Sequence, residues 1–120
     1  MILLTQRLER EQTLDSNNTF TNALFSDLFV TALEGGINYW ALVNDYDYKN
    51  CSAIIIDKEA SQSTQYNVDL NTVKKGLEAL SLETSALAKR KISSILNEDY
   101  DAEDADIVLQ YGLFGKLIYG

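Results

Sequence analysis

From Phe20 the apolar positions run Leu24, Phe25, Leu28, Phe29, Ala32 and Leu33, the i, i+4, i+5, i+8, i+9 spacing of one helical face. They predict an amphipathic helix from Phe20 to Glu34. Asn18 or Thr19 is available to cap its start, and Gly35 and Gly36 can close its end in the left-handed conformation. The following stretch, Tyr39 to Tyr48, is rich in aromatic and β-branched residues, with Trp40, Leu42, Tyr46 and Tyr48 on one parity. It predicts a strand. Lys49 and Asn50 turn the chain into a second strand, Cys51 to Asp57, whose Ile54, Ile55 and Ile56 predict cover on both faces. Thr64 to Val68 has the short, polar character of an edge strand.

Leu70, Val73, Leu77 and Leu80 step by three and four residues, which predicts a helix of about three turns with Asp69 or Asn71 as its cap. Ala88, Ile92, Ile95 and Leu96 predict another, ending near Asn97 and carrying Lys89, Arg90 and Lys91 on its outer side. From Asp101 to Tyr119 apolar residues surround the helix axis instead of striping it, so this last helix is expected at the centre of the core. The whole reads as α+β: a small antiparallel sheet, a hairpin plus a third strand, packed with about four helices. Residues 1–18 form an N-terminal arm, set off by Asp15, Ser16, Asn17 and Asn18, and 19–120 a single domain.

Composition narrows the chemistry. Ten basic residues against 18 acidic ones give a net charge of −8, which opposes direct binding to nucleic acid or to anionic lipid. No apolar run approaches the roughly 20 residues of a membrane span. No basic residue precedes Met1, Ile2, Leu3 and Leu4, and Arg7 and Glu9 break that run, so no secretory signal is expected and the chain reads as cytoplasmic. One cysteine, Cys51, forms no internal disulfide, and the lack of histidine removes Cys/His zinc sites and every histidine-based triad or general base. No cofactor is expected, because neither GxxxxGK[ST] nor GxGxxG occurs.

Three constellations remain. Asp45 and Asp47 share a strand parity and, with Glu34, supply the only candidate acid–base set, although solvated rim acids look the same. Asp99, Asp101, Glu103, Asp104 and Asp106 alternate as calcium ligands do, but an EF-hand loop begun at Asp99 would need glycine and glutamate where Asp104 and Gln110 stand. Those acids fit better as the capped, negatively charged first turn of the last helix. Lys89, Arg90 and Lys91, with Lys74 and Lys75, concentrate positive charge that can receive an anion or simply form a solvated face. Gly112 and Gly115 interrupt a buried helix and imply close approach of another backbone.

Two stretches carry a family likeness: TALEGGINYWALV, Thr31 to Val43, and DAEDADIVLQYGLFGKLIYG, Asp101 to Gly120. They resemble a family of small, functionally uncharacterised proteins encoded by tailed bacteriophages, in which a helix ending in EGG leads to YW and a closing helix carries Gln, then FG, then YG. On that resemblance the signature positions are Glu34, Gly35, Gly36, Tyr39, Trp40, Asp106, Gln110, Gly115, Tyr119 and Gly120. It transfers no catalytic residue. The expectation is a non-enzymatic phage accessory protein in the host cytoplasm, a homo-oligomer that sequesters a nucleotide signal of host defence. Its expected ligand-binding residues are Glu34, Tyr39, Trp40, Lys89, Arg90 and Gln110. The alternatives are an acidic nucleic-acid mimic that inhibits a host protein and a structural interaction protein.

Overall fold

The computed structural model describes residues 20–120, so the predicted N-terminal arm lies outside the described residues, and the first helix starts later than expected, with Thr21 as its cap in place of Asn18 or Thr19. The architecture is α+β. Helix α1, Asn22–Thr31, leads through a turn of π-helix, Ala32–Gly36, to strands β1, Ala41–Asp47, β2, Ser52–Asp57, and β3, Thr64–Asp69. Helices α2, Leu70–Ser81, α3, Ala86–Leu96, and α4, Ala102–Phe114, complete the order. The sheet is an antiparallel meander in the order β1-β2-β3.

Register explains which sheet face is covered. Val43 lies opposite Ile55, and Ile55 opposite Tyr66, while Ala53 lies opposite Val68. Side chains two apart along a strand share a face, so these residues form one surface, and Ala53, Ile55 and Val68 are buried in the core. The isoleucine run is therefore covered mainly on one side: Ile55 is fully buried, whereas Ile54 and Ile56 are only partly so. The strict alternation expected along β1 also fails. The register shifts between Asn44 and Asp47, and Asp45 takes a positive φ of 41°, the geometry of a bulge. Leu42 lies before the shift, on the face opposite Ala41 and Val43, and is exposed, whereas the bulge turns Tyr46 toward the covered face.

Caps set the helix ends. The Thr21 hydroxyl accepts from the Leu24 amide and starts α1. Asp69 closes a capping box with Thr72 at the start of α2, and Ser85 caps α3. Asp101 and Asp104 form a reciprocal box at α4, each carboxylate accepting from the other's backbone amide. Asp104 also accepts from Lys91 Nζ at 2.6 Å, which binds α3 to the start of α4. This pairing raises the Lys91 pKa, chiefly through the hydrogen bond. Lys91 is thus committed to Asp104 and does not belong to the solvated basic face with Lys89 and Arg90.

Helix α4 is buried continuously from Asp104 to Gln110 and packs most extensively against α2. It is shorter than the sequence predicts. Gly115 adopts φ 74° and ends it in the left-handed conformation, and residues 116–120 turn back along the helix. Gly115 is therefore a helix terminator, with open space where its Cβ would be, while Gly112 meets the backbone of α2.

Candidate functional site

The stretches 31–43 and 101–120 meet around one carboxylate. Helix α4 brings Asp106 inward between Ala105 and Ile107, and the residue is almost fully buried. Burial of a carboxylate needs donors, and three arrive. Tyr39 Oη donates to Oδ2 at 2.6 Å, while Trp40 Nε1 and Gln110 Nε2 each donate to Oδ1 at 2.9 Å. Tyr39 and Trp40 lie in the turn before β1 and diverge: Trp40 is fully buried, and Tyr39 is 50% exposed. Desolvation, reinforced by Asp106, pushes the Tyr39 phenol up to about 12.

Gln110 sits one helical turn beyond Asp106 and is fully buried. Its Nε2 also reaches the Tyr119 carbonyl at 3.1 Å and Tyr39 Oη at 3.3 Å. Its Oε1 accepts from the amides of Ile118 and Tyr119 at 2.9 and 2.8 Å. Gln110 thereby straps the C-terminal segment to α4. Tyr119 completes the strap: its ring stacks on Trp40 at 5.2 Å between centroids, and its hydroxyl donates to Asp57 at 2.6 Å. That hydrogen bond is the largest cause of a Tyr119 pKa raised to about 12.

Above this network lies an open cavity of about 620 Å³. Ala102, Glu103, Asp106 and Ile107, spaced i, i+1, i+4, i+5, form its α4 side. Gly35, Gly36 and Tyr39 form a second wall, and Leu117, Tyr119 and Gly120 a third. The glycine pair expected to close α1 in the left-handed conformation does something else. Neither residue has a positive φ, and the chain continues through a π turn in which the Ile37 amide bonds the Ala32 carbonyl. A Cβ on Gly36 would stand 2.6 Å from the Ala102 carbonyl oxygen, so Gly36 is needed for close contact with α4.

Of the six residues expected to bind ligand, Tyr39 alone lines this cavity. Trp40 and Gln110 lie beneath it, buried and engaged with Asp106. Glu34 is exposed and accepts from Tyr46 Oη at 3.2 Å. Lys89 and Arg90 are exposed on α3 and do not line the cavity. Asp47 is spent on the β1–β2 turn, accepting from the Asn50 backbone and side chain, and this holds its carboxyl below the usual range. Asp45 occupies the bulge. Sequence reasoning missed Asp106 as the hub and Glu103 as part of the rim, although an acid one turn before Gln110 on an otherwise apolar helix signals the former. Asp57 was also missed, on the buried parity of Ala53 and Ile55.

Among the described residues no group of three or more Cys, Asp or Glu side chains is arranged to hold a metal ion, and no helix is long and apolar enough to cross a membrane. Comparison of the chain with models of protein families, with curated proteins and with solved structures gave no match in any of the three.

Proposed function

We propose that the protein works by binding and not by catalysis, as a homo-oligomeric, phage-encoded sponge that holds a nucleotide signal of host defence in the host cytoplasm. One observation carries the binding part of this reading: the cavity over Asp106, which has the size of a small-molecule site and one wall made by the half-exposed ring of Tyr39. The Asp106 hydrogen bond fixes that ring in place, so a flat ligand group can stack on it without first ordering it. The phage part is supported by the sequence likeness alone, whose signature residues Gly36, Tyr39, Trp40, Asp106, Gln110 and Tyr119 build this site. The anti-defence part extends that origin to a chain with surplus aromatics and no recognisable catalytic set. Exposed Leu82 and Leu87 offer apolar surface for a second copy to cover.

The test combines light scattering after size exclusion with equilibrium dialysis against cyclic dinucleotides and ADP-ribose-derived nucleotides. The expected result is an oligomer that retains a member of the panel and loses it on Tyr39→Ala. A monomer that retains none ends this reading. In that case, capture of a host nucleic-acid enzyme that DNA displaces would establish the acidic mimic instead.

A further inference from the structure

The cavity's chemistry says which end of such a ligand it takes. None of its lining residues is Lys or Arg, and two, Glu103 and Asp106, are acids. The Glu103 side chain forms no hydrogen bond among the described residues, while Asp106 Oδ2 accepts only from Tyr39 and keeps acceptor capacity. Ile107 and Leu117 contribute apolar surface beside the Tyr39 ring. The start of α4 is the one feature here that attracts anions, by its helix dipole of about half a charge. Asp101, Glu103 and Asp104 already oppose that dipole, and Lys91 is paired with only one of them. A phosphate would therefore enter a site whose nearest charges repel it.

We propose that the cavity binds the base end of its ligand, an amino-bearing purine stacked on Tyr39 with its N–H edge turned to Glu103, and leaves the phosphates outside. This rests on the nucleotide reading above and adds the orientation and the base class. A flat heterocycle suits a fixed aromatic face, and exocyclic amino groups suit carboxylate acceptors, which form stronger hydrogen bonds than neutral ones. The same carboxylates would oppose a base that presents a carbonyl oxygen at that edge.

Titration calorimetry on the full chain with adenosine, purine riboside and pyrophosphate tests this. Adenosine is expected to bind about tenfold more tightly than purine riboside, which lacks the amino group and gains no other donor. Pyrophosphate should leave adenosine bound. Glu103→Ala, at an exposed position, should erase the difference between the nucleosides while keeping the thermal midpoint of the parent. Equal binding of both nucleosides, displacement of adenosine by pyrophosphate, or unchanged discrimination in E103A overturns the proposal. Nucleotides that bind where free nucleosides do not would also overturn it while leaving the nucleotide reading intact. Absence of binding by nucleosides and nucleotides alike removes both.

Discussion

Gly76 and Gly112 face each other across the contact between α2 and α4, and each presses on the other helix's backbone. A Cβ on Gly76 would stand 1.9 Å from the Val108 carbonyl oxygen, and one on Gly112 2.1 Å from that of Thr72. Both distances are far inside contact range, and a backbone carbonyl in a helix cannot swing aside. Helix separation is the only relief. Either Gly→Ala change is expected to cost about 3 kcal/mol, at the upper end of overpacking effects and well beyond the gain of about 1 kcal/mol in helix propensity. The double variant should cost less than the sum, because one separation relieves both collisions. Urea midpoints of the three variants check this, and additive losses would contradict a shared contact.

Gly35 and Gly36 are expected to behave differently although they are neighbours. The Cβ of Gly36→Ala would meet the Ala102 carbonyl oxygen, so this change should destabilise by about 1–3 kcal/mol and disturb the cavity wall. At Gly35 the nearest atom to a new Cβ is that of Ala102 at 3.9 Å, an ordinary contact. Gly35→Ala should leave the thermal midpoint at or above that of the parent while narrowing the cavity. A comparison of the two melting curves decides it.

Much of the fold was legible because periodicity and capping agree locally. The apolar steps of Leu70 to Leu80 place α2, Asp69 caps it, and Asp101 starts α4 as its acids imply. What was not legible arises from contacts distant in sequence. Trp40 and Asp106 are far apart along the chain, and no local pattern shows that an acid on a buried helix will find an indole, a phenol and an amide. Gly35 and Gly36 read locally as a helix stop, whereas the neighbouring α4 backbone decides the role of Gly36. Burial of apolar residues all round α4 is legible, but the end of the helix is not, since Leu117 and Ile118 continue the apolar pattern after Gly115 has broken the backbone.

Gln110 is expected to control the C-terminal strap. In Gln110→Glu, an oxygen replaces the Nε2 that now donates to Asp106 and to the Tyr119 carbonyl, so acceptors face acceptors in a buried place. Leaving such groups unpaired costs about 1–3 kcal/mol, and more when charge is involved. The first consequence should be release of residues 116–120 from α4. Hydrogen exchange of the Ile118 and Tyr119 amides, both now bonded to Gln110 Oε1, should accelerate in the variant before global unfolding does. Uniform acceleration across α2 and α4 would instead show that Gln110 supports the whole core.

Alkaline pH should destabilise the protein through its tyrosines. Burial first, and Asp106 next, raise Tyr39 to about 12, burial and Glu34 do the same for Tyr46, and the Asp57 hydrogen bond leads at Tyr119. In an unfolded chain all three titrate near 10. Between about pH 10 and 12 the folded state therefore holds more protons than the unfolded one, and stability falls as pH rises through that window. Below about pH 10 the contribution is fully present. Urea midpoints measured across the window should drop, and the drop should be shallower in Tyr39→Phe and Tyr119→Phe, each of which removes one titrating group. An unchanged slope in both variants would mean that these phenols titrate alike in the folded and unfolded chain, and that their carboxylate partners do not hold the protons in place.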